Sequence, residues 1–330
     1  MGDARPRLIP RRRALALLAA AWLGTPGALR ARPRPPWVGY LANEPTPDAL
    51  PVLSQALRDA GWVDGESLKL WQRYAQGKPA LYGPHAEELV RLGVNVLVAA
   101  TPPAIEAARK ATARIPIVMA SIDDPVASGF VASLAQPGGN VTGVTLAAPG
   151  LAARRLELLK EAVPHVTRVA VLWNPDNRSA AAELRDAQAA ARGLGVELLP
   201  VEARGDGELK PALAAIAKLE PGGLFVATDT LFQASRRQLA TFASRQRLPA
   251  VFPLAEFADV GGLLAYGAVW ADTFRRVAVF VDKLLRGARP ADLPVERPQR
   301  LELTVNLRAA RALRLAVPSA MLLRADRVLQ

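Results

Sequence analysis

Two stretches of the sequence nearly repeat each other. One is "VLVAATPPA" (Val96–Ala104) and the other is "LFVATDTLF" (Leu224–Phe232). In each, an apolar run ends in Ala-Thr, and a helical stretch then leads to a second apolar run, "IPIV" (Ile115–Val118) or "LPAV" (Leu248–Val251). Nearly apolar strands that alternate with helices are typical of parallel sheets with both faces covered. The stretches therefore predict an α/β chain of two doubly wound parallel-sheet lobes.

The same alternation continues along the chain from Trp37 onward. The predicted strands are Trp37–Ala42, Leu68–Arg73, Val94–Ala99, Ile115–Ala120, Val141–Thr145, Arg168–Trp173, Val196–Val201, Gly223–Ala227, Ala250–Phe252, Leu263–Tyr266 and Leu301–Val305. Between them, helical spacing of apolar residues predicts helices that end at glycine caps, namely Asp48–Ala60 at Gly61, Ala80–Leu92 at Gly93 and Ala180–Arg192 at Gly193.

The start of the sequence differs from the rest. Three arginines, Arg11–Arg13, precede the apolar run Ala14–Leu23, which is shorter than the roughly 20 residues that span a bilayer. A basic start, a short apolar run and small residues after it are typical of a cleaved export signal. We predict such a signal over residues 1–31, cleaved after Ala28 or Ala31, with export to the periplasm by the general secretory or the twin-arginine route.

Composition limits the chemistry that the protein can perform. The sequence contains no cysteine, and its two histidines, His85 and His165, lack the spacing of a metal-binding pair. The formal charge is +12, but the basic residues are scattered and do not cluster with aromatic residues. We therefore expect no metal, no cofactor and no nucleic-acid partner. Hydrolase chemistry is poorly supported, because the sequence has no Gly-x-Ser-x-Gly elbow and no histidine after a late strand.

Polar residues follow the predicted strands in both halves of the chain. Ligands of open parallel sheets bind beyond the carboxyl ends of the strands. "DDPVASGFVASLAQPGGNVTGV" (Asp123–Val144) gathers two acids, a glycine-rich turn and small hydroxyl residues where the chain would leave the first lobe. We expect the ligand to be bound by Asn43, Thr101, Asp123, Asp124, Asn140, Thr142, Asn174, Thr228, Asp229, Glu256 and Tyr266.

Some of these residues also have plain structural interpretations. The Pro137–Asn140 segment lacks the Lys-Ser/Thr ending of a phosphate-binding loop and is interpreted as a tight turn. One of Asp123 and Asp124 is expected to cap the helix that follows. Asp229 would either bind a ligand ammonium group or cap the helix that starts near Leu231. As a cap, Asp229 should tolerate replacement by Asn without loss of stability.

Three longer stretches resemble a known family. They are "IPIVMASIDDPVASGFVASLAQPGGNVTGVT" (115–145), "RRLELLKEAVPHVTRVAVLWNP" (154–175) and "VFVDKLLRGARPADLPVERPQRLELTVNLRAARALRL" (279–315). These are similar to ABC-transporter substrate-binding proteins that are often assigned to tryptophan or tyrosine transport. The resemblance covers Trp37–Leu329 and implies the type I periplasmic-binding-protein fold, with a ligand cleft between the two lobes. It divides the chain into lobe 1, 37–145 plus 270–298, and lobe 2, 146–269 plus 299–330.

The resemblance also implies a function. A monomer would capture a small metabolite by hinge closure and deliver it to an ABC permease at the inner membrane. We expect an amino acid, with an aromatic one as the leading case. Helix N-termini beside Thr101 and Thr228 suit its carboxylate, and Asp229 suits its ammonium group. Two other functions stay open, namely a ligand-sensing module of a receptor and an enzyme that uses the same cleft.

Overall fold

The apolar runs of the first half of the chain form one sheet. The computed structural model describes Met1 and residues 34–46 and 49–330, so the predicted export signal at 1–31 lies, apart from Met1, outside the described residues. The strands are β1 (Trp37–Ala42), β2 (Lys69–Tyr74), β3 (Val96–Ala99), β4 (Ile117–Ser121) and β5 (Val141–Thr145). They run parallel in the order β2-β1-β3-β4-β5.

The second half of the chain contributes a larger sheet. Its strands are β6 (Arg168–Trp173), β7 (Glu197–Glu202), β8 (Gly223–Val226), β9 (Ala250–Phe252), β10 (Leu264–Ala268), β11 (Leu301–Asn306) and β12 (Arg327–Leu329). Their order is β12-β11-β10-β9-β8-β6-β7. We call the five-stranded sheet with its helices lobe 1 and the seven-stranded sheet with its helices lobe 2.

Helices connect most of these strands. They are α1 (Leu50–Asp59), α2 (Tyr82–Leu92), α3 (Pro102–Ala111), α4 (Leu151–Ala162), α5 (Arg178–Leu194), α6 (Asp206–Leu219), α7 (Thr230–Ala234), α8 (Arg236–Arg245), α9 (Glu256–Asp259), α10 (Trp270–Leu285), α11 (Leu307–Ala312) and α12 (Ser319–Arg324). Two short 3-10 turns lie at Pro79–Leu81 and Pro290–Asp292.

The helices of lobe 1 bury apolar stripes on both faces of its sheet. On one face, Leu53 and Leu57 of α1 pack with Phe274 of α10. Leu53 and Leu57 are four residues apart, a spacing that puts side chains on the same side of a helix. On the other face, Leu89 of α2 packs with Ile105 of α3. Because both faces are covered, the central strands are almost wholly apolar, as the sequence predicts.

Two strands, β11 and β12, depart from the predicted parallel arrangement. β11 runs antiparallel to β10 and parallel to β12. The reason lies in the connection, because α10, which follows β10, packs beside α1 and on strands of lobe 1 and not on the sheet of lobe 2. The chain therefore returns from the other lobe and does not make the crossover within one sheet that produces parallel neighbours. β11 and β12 therefore run opposite to the other five strands of the lobe 2 sheet, and the predicted parallel arrangement holds for β6–β10.

Three segments connect the lobes, and a glycine is required beside one of them. They lie between β5 and α4, between β10 and α10, and between α10 and β11. In the third, Glu296 pairs with Val144 of β5. Gly143 has a φ of +132°, and a Cβ added there would lie 2.3 Å from the carbonyl oxygen of Met119 in β4. Only glycine lets β5 lie this close to β4 while it adopts that φ.

Predicted helix ends were accurate at one glycine and wrong at another. Gly93 caps α2 in the left-handed conformation, as predicted. α5 continues past Gly193 and is capped by Gly195, which has a φ of +61°. Gly193 follows Arg192 and Gly195 follows Leu194, so the prediction stopped at the first of two closely spaced glycines, whereas the helix ends at the second. The cap of α1 is Ala60, and Gly61 follows it.

Candidate functional site

A cavity of about 370 Å³ lies between the two lobes, at the carboxyl ends of β1 and β3. Lobe 1 contributes the residues that follow these strands, and lobe 2 contributes α7, the start of α8, and α9. A wider depression of about 650 Å³ lies on α8, but it is bounded only by the end of α7 and α8 itself. The interlobe cavity is lined by Tyr40, Ala42, Asn43, Glu44, Pro45, Thr46, Ala49, Ala100, Thr101, Ile122, Thr230, Gln233, Ala234, Arg236, Glu256, Asp259, Val260 and Trp270.

Aromatic rings form part of the cavity wall. Tyr40 and Trp270 line it, and Phe274 stands between them, with ring centroids 6.3 Å from Tyr40 and 5.3 Å from Trp270. Trp270 meets Phe274 edge to face, an arrangement that aromatic pairs prefer. Burial raises the pKa of the Tyr40 phenol above its ordinary value, so this group is neutral. The wall is therefore uncharged, aromatic and held in place by its own packing.

Two opposite charges, one from each lobe, meet in the cavity wall. Arg236 Nη1 of lobe 2 lies 3.6 Å from Glu44 Oε1 of lobe 1. The same Nη1 donates a 3.0 Å hydrogen bond to the backbone carbonyl of Gln233. Both side chains are partly exposed, so the pair itself stabilises the contact only weakly. A cation on one lobe and an acid on the other is the charge arrangement that complements a zwitterion.

Beside the cavity, a second polar cluster joins the lobes. Asn177 Nδ2 donates to Asp123 Oδ1 of lobe 1 at 3.2 Å and to Asp229 Oδ2 of lobe 2 at 2.9 Å. The backbone N–H of Asp124 donates to Ser179 Oγ at 2.8 Å. The side-chain oxygen of Asn177 meanwhile accepts from two N–H groups at the start of α5. One N-cap residue thus fixes a helix of lobe 2 and contacts both lobes.

An ion pair between a buried arginine and a mostly buried glutamate contacts this cluster. Arg155 is 2% exposed, and its Nη1 lies 3.1 Å from Glu183 Oε2. Glu183 accepts from the Thr228 N–H at 2.9 Å and from the Thr228 hydroxyl at 2.6 Å. Arg155 Nε donates to the Tyr266 carbonyl at 2.8 Å. The pair therefore fixes the segment between β8 and α7 against β10.

The two aspartates of the cluster have raised pKa values. Burial raises the pKa of Asp123 to about 7, although the hydrogen bond from Asn177 lowers it. Burial also raises the pKa of Asp229, against hydrogen bonds from Asn177, Leu231 and Asn174. Repulsion from neighbouring carboxylates adds to both shifts.

The family model of the ABC transporter substrate-binding proteins matches residues 49–329. The chain belongs to this family. The resemblance predicted from the sequence is thereby confirmed, as is the function that follows from it, which is capture of a small solute and its delivery to an ABC permease. The family consists of transport components and is not an enzyme family, and its importer members act in the periplasm or outside the cell.

Relatives and solved structures agree with this assignment. The "Tyrosine-binding protein" of Clostridioides difficile strain R20291 is 25% identical over 280 residues, which cover 84% of this chain and 79% of that protein. The ABC domain from Streptococcus pneumoniae in complex with L-Trp superposes with a TM-score of 0.82 at 23% identity, covering 89% and 99% of the two chains. A conserved domain protein from Vibrio cholerae gives 0.82 at 27% identity, covering 89% and 100%.

The fold of this substrate-binding protein is that of the type I periplasmic binding proteins, which confirms the predicted fold class. No helix within the described residues is long and apolar enough to cross a membrane. Within the same residues, no group of three or more acidic or histidine side chains is arranged to hold a metal ion.

The structure brings most of the predicted site residues to the space between the lobes, but in two groups. Asn43, Thr101 and Glu256 line the cavity. The other group belongs to the polar cluster behind it and consists of Asp123, Asn174, Thr228 and Asp229. Asp124 accepts from two N–H groups of the turn after β4. The helix that it was expected to cap is not formed, because the described residues between β4 and β5 contain turns and no helix.

The donors predicted for a ligand carboxylate already have protein partners. α3 begins with two prolines, which carry no N–H, and the Thr101 hydroxyl accepts from Ala104 N–H. In lobe 2 the hydroxyl and N–H of Thr228 both donate to Glu183. Asp229 caps α7 through Leu231 N–H. The geometry thus corrects the sequence prediction, because these groups are bound within the protein.

Three predicted residues lie away from the cavity. Asn140 directly precedes β5 and so lies at the amino ends of the parallel strands, whereas the cavity lies at their carboxyl ends. Its amide donates to the carbonyls of Thr112 and Ile115. Thr142 is fully buried and donates to the Leu293 carbonyl at 2.6 Å. Tyr266 lies in the middle of β10 and packs against the core of lobe 2. We therefore exclude these three residues from the proposed site.

Sequence reasoning missed several residues that line the cavity. Thr230, Gln233 and Arg236 are three residues apart, a spacing that puts helical side chains on one face, and all three line the cavity. That spacing after a strand end was the available signal. Tyr40 gave none, because it lies inside a strand among apolar residues.

Proposed function

We propose that this substrate-binding protein captures an aromatic amino acid in the interlobe cavity. The observation that carries the proposal is the pairing of an aromatic wall, Tyr40 and Trp270, with the opposed charges of Glu44 and Arg236. An aromatic side chain would pack on the wall, its carboxylate would meet Arg236, and its ammonium group would meet Glu44. Similarity to a tyrosine-binding protein and to a structure that contains L-Trp supports the same class.

The experiment has two parts. Mass spectrometry of material that co-purifies with the protein identifies ligands retained from the host. Titration calorimetry on unfolded-and-refolded, ligand-free protein then compares L-tyrosine, L-tryptophan, L-phenylalanine and L-leucine. We expect the aromatic amino acids to bind at least tenfold more tightly than leucine, because the ring replaces more water from the wall. Equal binding of leucine, or no binding of any of the four, contradicts the proposed class. A chemically altered ligand in the first experiment would indicate an enzyme.

We also propose that the lobes comprise 37–145 plus 270–298 and 146–269 plus 299–330, and that they close on the ligand by hinge motion. The packing of α10 on the lobe 1 sheet and the pairing of Glu296 with Val144 support these limits. Small-angle scattering should show a smaller radius of gyration when ligand is added. An unchanged radius at saturation would contradict closure.

Export to the periplasm as a processed monomer completes the proposal. It is supported by the basic start and short apolar run of residues 1–31. Intact-mass analysis of a periplasmic extract should find a chain that begins between about Pro26 and Val38. Light scattering after size exclusion should give a mass below the 35.2 kDa of the full sequence. An unprocessed chain would contradict the proposed cleavage, and a dimer mass would contradict the proposed monomer.

A further inference from the structure

Two buried side-chain oxygens in the cavity wall have no hydrogen-bond partner among the described residues. They are Gln233 Oε1, in α7, and Thr46 Oγ1, in the loop after β1. Both residues line the interlobe cavity. Buried polar groups in folded proteins are nearly always hydrogen-bonded, because an unpaired one costs free energy. Two such oxygens in one cavity wall therefore indicate a partner that the protein itself does not supply.

The two oxygens belong to opposite lobes. Thr46 follows the first strand of lobe 1, and Gln233 lies one residue before the end of the short helix that follows β8 in lobe 2. Their burial consequently depends on closure, because separation of the lobes gives both of them access to water. Closure on a ligand buries them again. A ligand with no matching donor would leave them unpaired, and a ligand with one would satisfy them.

Their surroundings show which part of a ligand they would meet. Gln233 lines the same cavity as the aromatic wall, and its own backbone carbonyl is already bound by Arg236. In the proposed binding mode, Glu44 and Arg236 exchange their mutual contact for the two ionic groups of the amino acid. The side-chain oxygens of Gln233 and Thr46 are then left for a polar group on the ligand side chain.

We propose that Gln233 and Thr46 determine side-chain specificity by accepting a hydrogen bond from a donor on the edge of the ligand ring. This inference rests on the proposed binding of an aromatic amino acid. The phenol O–H of tyrosine and the indole N–H of tryptophan are such donors, whereas the ring of phenylalanine has none. A site built to bind a ring donor rejects the analogue that lacks it more strongly than an apolar pocket distinguishes ligands by size.

Calorimetry of the mature protein, without the export signal, with L-tyrosine, L-tryptophan and L-phenylalanine tests the inference. We expect phenylalanine to bind about tenfold to a hundredfold more weakly than the better of the other two, because it leaves both oxygens unpaired. Whether tyrosine or tryptophan binds more tightly identifies the donor as O–H or N–H.

Substitutions then assign the effect to these residues. In Gln233→Leu and Thr46→Val, tyrosine and tryptophan should bind more weakly and phenylalanine more tightly, so that the ratio of dissociation constants falls toward one. A misfolded protein does not gain affinity for phenylalanine, so this opposite movement separates specificity from damage. Gln233→Met, which is close to Gln in shape, replaces the Leu variant if that variant does not fold. Gln238→Leu and Thr241→Val are matched controls, since both residues lie in the depression on α8.

The outcomes distinguish this inference from the proposal beneath it. A changed ratio at either position, with unchanged ratios in the controls, supports the inference. Equal affinity of the wild-type protein for all three amino acids, or an unchanged ratio in both variants, overturns the inference and leaves the proposed ligand class intact. If none of the three binds, the ligand class is wrong and the inference is wrong with it.

Discussion

Asn177 Nδ2 donates a hydrogen bond to Asp123 Oδ1 across the boundary between the lobes, at a distance of 3.2 Å. Asp123 is 5% exposed, and the same amide group also donates to Asp229. An ionised Asp123 is therefore buried beside a second carboxylate, with one shared amide as its side-chain donor among the described residues. Burial is the main reason why its pKa rises to about 7.

The raised pKa of Asp123 makes the stability of the protein depend on pH. Between the ordinary pKa of about 4 and the folded value of about 7, the native state binds a proton that the unfolded state has lost. Stability from this group is thus complete below pH 4 and is lost as the pH rises through 7. From pH 5 to pH 8 we expect the free energy of unfolding to fall by about 2–3 kcal/mol more in the wild-type protein than in Asp123→Asn. Urea unfolding at both pH values measures this difference, and equal changes in the two proteins would contradict the assignment.

Asp229 uses both of its oxygens in the protein, so its replacement by Asn should be destabilising. Oδ1 accepts from Leu231 N–H at 2.7 Å, and Oδ2 accepts from the amide groups of Asn174 and Asn177 at 3.1 and 2.9 Å. Asn keeps one oxygen for the cap but turns an NH₂ group toward two donors. We expect Asp229→Asn to lower the free energy of unfolding by about 2 kcal/mol, contrary to the sequence-based expectation of no loss.

A neighbouring aspartate provides the control for that measurement. Oδ1 of Asp124 alone accepts both hydrogen bonds, from the N–H groups of Val126 and Ala127. Asn at this position therefore retains both. Asp124→Asn should therefore change the free energy of unfolding by less than about 0.5 kcal/mol. Equal losses of unfolding free energy in the two variants would mean that the hydrogen bonds from Asn174 and Asn177 do not cause the destabilisation of Asp229→Asn.

The ion pair of Arg155 and Glu183 should contribute far more to stability than a shorter pair next to it in sequence. Arg155 and Glu183 have side-chain exposures of 3% and 20%, whereas Arg154 and Glu157 are 2.7 Å apart but 38% and 43% exposed. Arg155→Met leaves a buried carboxylate without its cation, which costs about 3–5 kcal/mol. Arg154→Met should cost less than about 1 kcal/mol. Chemical denaturation of both variants tests the contrast. Similar losses of unfolding free energy would show that burial does not determine how much an ion pair contributes to stability.

Gly143 should not tolerate a side chain. A Cβ there would lie 2.3 Å from the Met119 carbonyl oxygen and 2.6 Å from its nitrogen, both in the backbone of the adjacent strand. We expect Gly143→Ala to cost about 3 kcal/mol or more, because backbone strain and the clash act together. Gly139→Ala is the control: no atom lies within 4 Å of its Cβ position, and its free energy of unfolding should change by less than about 0.5 kcal/mol. Equal thermal stability of the two variants would contradict this reading of Gly143.

Much of the fold could be predicted from the sequence because burial dictates composition. Strands such as Val141–Thr145 and Arg168–Trp173 were placed at their observed ends, since apolar runs bounded by turn residues leave few alternatives. The antiparallel β11 could not be predicted in this way. Its direction follows from where α10 packs, and that is a property of the whole fold.

The site was less predictable, because position at a strand end does not fix what a side chain binds. The rule that ligands bind beyond carboxyl strand ends located the cavity, and Asn43 and Thr101 line it. The same rule selected Thr228, but its hydroxyl donates to Glu183, which lies in α5. Such a partner is 45 residues away in sequence, so no local pattern reveals it.

Arg236 should bind the carboxylate of the ligand, and a pair of adjacent arginines makes this testable. Arg236 lines the interlobe cavity, whereas Arg237 lies in the depression on α8. Arg236→Ala should weaken binding of the proposed aromatic amino acid by about tenfold to a hundredfold, which corresponds to roughly 1.4–2.7 kcal/mol for a charge pair that keeps some contact with water. Arg237→Ala should leave the dissociation constant unchanged. The decisive comparison uses the decarboxylated amine, tyramine or tryptamine, whose affinity should be low in the wild-type protein and no lower in Arg236→Ala. If the substitution weakens the amine and the amino acid to the same extent, Arg236 acts on lobe closure through Glu44 and not on the ligand carboxylate.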